Sequence, residues 1–317
     1  MVIYRRIEDV EPVTNTVLTI GSYDGLHRGH QEVINRTVAA AGVLGNQSAL
    51  ITFDPHPKRV LRSSQRFHLL MDIDKKLRLL EDLDVDIALV IPFTHEFSKM
   101  TAGEFLEDVV VPCFHPVKIV IGIDHRFGHD REGDGIFLEG YGKRGSFEVE
   151  IVDSVKDQEE RLSSTHIRNL IRQGNVQKAS LELGWVFGFD AVVVKGSGRG
   201  HLLNFPTTNF IAKDPAQLVP KRGVYFARGV IDDRCLHGMC NLGYRPTFGE
   251  NEFSMEIHFL DDLEGDMYGK SFEVQFLERI RDEKKFDSPR ELVEQLRKDR
   301  RFCLSLVGKY RQEEPCP

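Results

Sequence analysis

His27 and His30 stand three residues apart in GSYDGLHRGH, the stretch from Gly21 to His30. If the segment is helical, their imidazoles share one face. Two such rings can donate hydrogen bonds to a phosphoryl group as it gathers negative charge. The neighbours suit the same chemistry: Gly21 and Gly25 let the backbone approach a ligand closely, Asp24 lies between them, and a helix starting here offers unpaired N–H groups to an anion. A second set lies in SSTHIR, Ser163 to Arg168, where Ser164 and Thr165 open a helix. Hydroxyls at that place commonly act as caps. Arg168 falls on the same helical face as Ser164, and with Arg161 just upstream the group also reads as a polyphosphate grip. HRGH invites a zinc reading, but helical zinc pairs usually sit four apart and no cysteine is near.

A further constellation lies in the second half of the chain. In FPTTN the side chains of Thr207 and Asn209 point the same way if the segment is extended, which offers two oxygens to a hard cation such as Mg²⁺. Phe253 to Phe259 alternates, with Phe253, Met255, Ile257 and Phe259 on one face and Ser254, Glu256 and His258 on the other. KGSGRG, Lys195 to Gly200, carries Gly196, Gly198, Arg199 and Gly200 after an apolar strand; it suits either a phosphate cradle or a hairpin connection.

The elements that must hold these groups follow from pattern. Val17 to Ile20 reads as a strand, Gln31 to Ala41 as a helix, Ser48 to Phe53 as a buried strand stopped by Asp54-Pro55-His56-Pro57, and Lys75 to Leu83 as a helix. Ile87 to Ile91 and Val117 to Ile123 are further strands, and Thr101 with Glu104 makes a capping box between them. Such alternation predicts a parallel sheet covered on both sides, with ligands at the strand C-terminal ends. The loop Gly122 to Asp134 lies at such an end and brings Asp124, Arg126 and Arg131, as ligand contacts or as a solvated turn. Between Gln173 and Phe189 the pattern changes, and from Ala191 short alternating strands predict a small antiparallel barrel. Ser288-Pro289-Arg290-Glu291 starts a last helix that runs toward Val307. The expected domains are residues 1–184 and 185–317.

The 317 residues, 41% hydrophobic and 29% charged, suffice for two cores. Lys plus Arg number 42 against 49 for Asp plus Glu, so at a net charge of −7 no bulk attraction to nucleic acid or anionic lipid is expected. No apolar run spans a bilayer and no signal-peptide pattern opens the chain, which predicts a cytoplasmic protein. Cys113, Cys235, Cys240, Cys303 and Cys316 form no CxxC pair and are expected as reduced packing thiols. Cys235, His237 and Cys240 lack a fourth ligand for zinc. Oligomeric state is not readable.

GSYDGLHRGH, TFDPHP, GIDHRFG and LSSTHIR, in this order and at these separations, resemble the adenylyltransferase module of the bacterial bifunctional riboflavin kinase/FAD synthetases. GSGRG, Pro206-Thr207-Thr208-Asn209, NLGYRPTFG and Glu256 resemble the kinase module of the same family. The resemblance implies an α/β Rossmann-like nucleotidyltransferase domain followed by a small antiparallel β-barrel domain with a C-terminal helix. It implies transfer of AMP from ATP to FMN, with His27 and His30 at the α-phosphoryl group. Gly21, Asp24, Gly25 and Asp124 would contact nucleotide, and Arg161, Ser164, Thr165 and Arg168 would hold the β- and γ-phosphates. It further implies phosphorylation of riboflavin by ATP, with Glu256 as general base and Thr207 and Asn209 on Mg²⁺. Gly196, Gly198, Arg199, Gly200, Asn241, Arg245 and Arg281 would shape the nucleotide and flavin sites. FMN and FAD would then be product ligands.

Tyr23 stands where the family often has phenylalanine, Thr208 where it usually has alanine, and Asn204 where it usually has glycine, with Leu202 nearby. The last three changes leave open an FAD synthetase whose kinase half is idle. A flavin-binding regulator without turnover is the remaining alternative, and the histidines, the hydroxyl-rich SST and Glu256 argue against it.

Overall fold

A computed structural model describes residues 1–61, 67–145, 147–157, 160–196, 205–232, 234–247, 250–261 and 267–313. Contacts divide the chain into two compact units, one of Met1–Leu69 with Ile73–Ser164, the other of Leu70–Asp72 with Thr165–Pro317.

In the first unit, β1 (Val2–Tyr4), β2 (Thr16–Ile20), β3 (Ser48–Asp54), β4 (Ile87–Pro92), β5 (Pro116–Gly122) and β6 (Glu148–Val152) form one sheet in the order β1-β4-β3-β2-β5-β6, every neighbouring pair parallel. All five residues of β2 are buried, as a strand covered on both faces requires. Helices α1 (Arg28–Leu44), α2 (Pro57–Leu61) and α3 (Ile73–Asp82) follow β2 and β3. On one face Val17, Val120 and Val152 pack with Val33 and Ala41 of α1. On the other, Leu18, Ile20, Ile51 and Leu89 pack with Phe105, Val109 and Phe114, which lie on α4 (Ala102–Phe105), a π-helical turn (Leu106–Val110) and α5 (Val111–Phe114). The Thr101–Glu104 capping box is present and starts that run. Helix α6 (Gly135–Gly145) and the short antiparallel pair β7 (Lys156–Asp157) and β8 (Glu160–Arg161) complete the unit.

From β2 the chain moves through β3 to β4 on one side, and β5 joins β2 on the other. Strand order therefore reverses beside β2, where open α/β sheets bind ligands. The turns after β2 and β5, GSYDG and GIDHRFG, flank that reversal, and DPHP follows β3.

The second unit holds α7 (Ser164–Gln173), α8 (Val176–Leu183) and a closed antiparallel barrel of β9 (Gly188–Val194), β10 (Thr208–Ala212), β11 (Gly223–Ile231), β12 (Arg234–Thr247), β13 (Glu250–Phe259) and β14 (Ser271–Arg281). Its interior is aromatic: Phe187, Phe189, Phe210, Tyr225 and Phe276 are each at most 1% exposed. Burying one such ring contributes about 1.5–3 kcal/mol. Ile167, Leu170, Ile171, Val176, Ala179 and Leu183 join this core, so α7 and α8 count with the barrel although the change of sequence pattern falls after them. Apolar area decides that division, and an amphipathic helix does not reveal by its own pattern which core it covers. Helix α9 (Pro289–Glu313) begins at Pro289 behind the Ser288 cap, as expected, and extends past Val307; Cys303 and Tyr310 pack on Phe226, Met239 and Leu277 outside the barrel.

Cys113, Cys240 and Cys303 are buried free thiols. The expectation of uniformly reduced cysteines fails at Cys235, which is disulfide-bonded. It lies half-exposed near the start of β12, whereas the other three are sealed in apolar cores. Cys316 is outside the described residues. Among the described residues no helix is long and apolar enough to cross a membrane.

Candidate active sites

After β2 the backbone turns sharply, with Tyr23, Gly25 and Leu26 all at positive φ (44°, 86° and 37°). Left-handed backbone is strained for tyrosine and leucine, and such strain concentrates at ligand sites. Packing holds it here. Leu26 is fully buried, and the Tyr23 ring lies so close over Gly21 that a β-carbon there would meet ring carbons at 2.9 Å. The Tyr23 hydroxyl shares a 2.5 Å hydrogen bond with Thr19 on β2.

Helix α1 starts at Arg28, with His27 as its cap rather than its first residue. The His30 N–H bonds the His27 carbonyl at 2.7 Å and shares a longer bond, 3.3 Å, with His27 Nδ1. An accepting Nδ1 leaves neutral His27 with its proton on Nε2, free to donate outward. The two imidazoles stack, centroids 3.7 Å apart, and Tyr23 meets His30 edge-on at 5.3 Å. Burial lowers the His27 pKa to about 4, opposed by its backbone hydrogen bond and aided by the Arg161 charge. Burial, then His27, then Lys76 push His30 well below its ordinary value. Both rings are therefore neutral donors near pH 7.

Two of the other expected residues act on this turn, Ser164 by a hydrogen bond and Arg161 by its charge on His27. Ser164 Oγ donates to the Asp24 carbonyl at 2.8 Å, so one SST hydroxyl ties onto the histidine turn. Asp24 and Gly25 are buried. Arg161 on β8 pairs with Asp124 in the loop after β5, both side chains about half exposed (48% and 57%). An ion pair that exposed contributes little, so the guanidinium is available to an incoming phosphate.

In the barrel one line of residues crosses neighbouring strands: Asn209 on β10 lies opposite Glu256 on β13, which lies opposite Asn241 on β12. The line continues through Val224 on β11 to Arg281 on β14. Residues directly opposite share a face of the sheet. Phe210, Met255, Ile257, Cys240 and Leu242 fill the interior, so the polar line stands on the outer face. Thr207 donates to Glu256 Oε2 at 3.0 Å, which brings the FPTTN hydroxyl onto the carboxylate.

Two family models cover the chain: FAD synthetase matches residues 10–166 and riboflavin kinase matches residues 183–307. A curated bifunctional riboflavin kinase/FMN adenylyltransferase of Listeria monocytogenes is 35% identical over 93% of this chain and 93% of its own length. The like-named protein of Escherichia coli strain K12 is 31% identical over 94% of each. The chain belongs to the bifunctional riboflavin kinase/FMN adenylyltransferase family. It carries an FAD synthetase domain and a riboflavin kinase domain. A crystal structure described as a macrolide-efflux protein from Streptococcus pneumoniae, 30% identical, superposes with a TM-score of 0.85 over 96% of this chain and 98% of that one. The fold of this chain is thus shared with that structure over nearly its whole length.

Not every expected residue of the kinase domain stands free for a ligand. The Arg281 guanidinium binds both carboxylate oxygens of buried Asp299 on α9 at 2.7–3.1 Å, and its Nη1 bonds the Asp282 carbonyl. Gly198, Arg199, Gly200, Leu202 and Asn204 lie outside the described residues, as does the Arg245 side chain. Thr208 lies opposite Ile257, one position out of step with Asn209 and Glu256, and so faces away from the polar line. In the FAD synthetase half, Thr165 is exposed and Arg168 is 5% exposed on α7, its pKa lowered to about 10 by burial and by Arg172.

Gly196 is placed against Asn209 so closely that a β-carbon would overlap the side-chain amide. Gly196→Ala is expected to displace Asn209 and reduce riboflavin phosphorylation on the order of ten- to a hundredfold while sparing FAD formation from FMN; steady-state assays of the two half-reactions check this.

Sequence reasoning passed over His56 and His125. His56 is 8% exposed, accepts the Lys58 N–H at Nδ1 and lies 4.7 Å from the Phe67 ring. Burial, with the charges of Lys76, Lys58 and Arg59, takes its pKa to about 3. His125 stacks on Phe127 at 5.5 Å, with Nε2 buried and unbonded among the described residues. Their place just after strands β3 and β5 was the available signal.

Proposed function

We propose that the chain phosphorylates riboflavin to FMN in residues 185–317 and adenylylates FMN to FAD, releasing pyrophosphate, in residues 1–184. The observation that carries this reading is the presence of two separate constellations, a stacked neutral histidine pair on a strained phosphate turn and a glutamate in a polar line on the barrel.

For adenylyl transfer, an FMN phosphate oxygen attacks the α-phosphorus of ATP as the bond to the β-phosphate oxygen breaks. His27 and His30 donate to the non-bridging oxygens as charge accumulates, and their burial makes each donor worth more than in water. Gly21, Asp24, Gly25 and Asp124 bind the nucleotide, and the segment from Arg161 through Ser164 and Thr165 to Arg168 holds the departing pyrophosphate. Catalysis is by positioning and charge stabilisation, with no covalent enzyme intermediate.

For the kinase, Glu256 accepts the proton of the ribityl 5′-hydroxyl as that oxygen takes the γ-phosphoryl group of ATP and the bond to the β-phosphate oxygen breaks, releasing ADP. The Thr207 hydroxyl holds the carboxylate in place. Thr207, Asn209 and Glu256 present hydroxyl, amide and carboxylate oxygens, a donor set suited to Mg²⁺. Thr207 and Asn209 would hold the ion, which neutralises phosphate charge when bound. Asn241, Arg245 and the glycine segment Gly196, Gly198, Arg199 and Gly200 shape the nucleotide and flavin sites; Arg281 belongs to the same line with its guanidinium already held by Asp299. Thr208 points away from this chemistry and gives no reason for an idle kinase.

The partners are small molecules, riboflavin, FMN and ATP, and neither nucleic acid nor membrane. An enzyme that consumes ATP twice works in the cytoplasm. Purified chain given riboflavin and MgATP should yield FMN and then FAD, resolved by chromatography. Formation of neither flavin overturns the reading.

A further inference from the structure

Lys76 lies on α3, only 5% exposed, within the first unit. Its ammonium donates to the Ser22 carbonyl at 2.8 Å and to Thr52 Oγ1 at 3.3 Å. Ser22 belongs to the turn after β2 and Thr52 to the end of β3, so one buried cation joins two loops of the adenylyl-transfer site. Among the described residues no carboxylate comes within ion-pair distance of it. Asp54 is the opposite charge that acts on it, from farther off. An ammonium buried without a direct counter-charge is costly, and an anion arriving at the turn offsets that cost.

The Ser22 bond has a consequence one residue on. Tyr23 follows at φ 44°, and its ring meets His30 edge-on. Fixing the Ser22 carbonyl fixes the backbone from which that ring projects. The same charge acts on two imidazoles. His30 is faced by His27 and Tyr23 from its own segment and by Lys76 from α3; His56 is faced by Lys58, Arg59 and Lys76. A cation at this place opposes their protonation, which keeps two ring nitrogens from adding a second and third positive charge to a buried pocket.

We propose that Lys76 is a positioning residue of adenylyl transfer, holding the Gly21–His30 turn to the end of β3 and so orienting the His30 imidazole for the phosphoryl group. The inference rests on the adenylyl-transfer reading for its activity but not for its effect on His30. The test uses the full chain with Lys76→Met and Lys76→Arg, assayed for FAD formation from FMN and MgATP, with riboflavin phosphorylation on the same chain as internal control. Proton NMR of the histidine ring protons follows His30 as a function of pH, its resonance assigned by its absence in His30→Gln.

Lys76→Met should lower kcat for FAD formation about tenfold or more, with KM for FMN little changed and phosphorylation intact. Removing a like charge favours the protonated imidazole, so the His30 midpoint should rise in Lys76→Met and remain low in Lys76→Arg, which also recovers FAD formation. A folded Lys76→Met chain that keeps FAD formation within about twofold overturns the proposal. So does an unmoved His30 midpoint, which would reduce Lys76 to a packing residue. If the wild-type chain forms no FAD, the adenylyl-transfer reading falls while the His30 titration still decides whether Lys76 governs that ring.

Discussion

His30→Ala should lower FAD formation from FMN on the order of 10²–10³-fold in kcat, the usual loss when one donor to a developing oxyanion is removed. The ring is held from several directions: stacked on His27, met edge-on by Tyr23, and carried on a backbone N–H that is itself bonded to His27. Nothing else in the turn replaces a donor so placed. The loss should appear in kcat more than in KM, because the donor acts on charge that exists only in the transition state. Riboflavin phosphorylation on the same chain is the control and should stay unchanged, since Glu256, Asn209 and Asn241 belong to the barrel. A variant that forms FAD at the wild-type rate would remove His30 from the mechanism.

Glu256→Gln should abolish FMN formation to a comparable degree, on the order of 10²–10⁴-fold, while FAD formation from supplied FMN continues. Glutamine keeps the shape and can still accept from Thr207, but it cannot take the 5′-hydroxyl proton. The reciprocal pattern of the two variants is the decisive result: each should silence one half-reaction and spare the other. A folded Glu256→Gln chain that has lost both activities would contradict the separation of the two sites.

Much of this was legible in the residues. The order of strands and helices, the Thr101–Glu104 and Ser288–Glu291 caps and the alternation around Glu256 are local patterns, set by side-chain period and by which groups can satisfy a helix end. They place Glu256 on the face opposite Met255 and Ile257, as found. The histidine turn was readable for the same reason, because glycines beside a strand end and a helix start form a short segment whose chemistry lies within ten residues.

Other features needed contacts between distant segments. Arg281, which the resemblance gives to the nucleotide and flavin sites, also holds Asp299, eighteen positions along the chain. α7 and α8 precede the change of sequence pattern and bury their apolar faces in the barrel core. Cys235 looked like a packing thiol and is disulfide-bonded. His56, in the turn after β3, is buried, His125 after β5 has its Nε2 shut off from solvent, and the Lys76 ammonium lies against the Ser22 carbonyl of the histidine turn.

The sequence by itself determined the family and its two half-reactions, because those reside in short motifs of characteristic composition, order and separation. Tertiary structure alone decided which of those groups are neutral, which are already spent on partners and which buried cation stands behind the histidines. Burial and pairing are sums over neighbours far apart in the chain, and no local pattern records them.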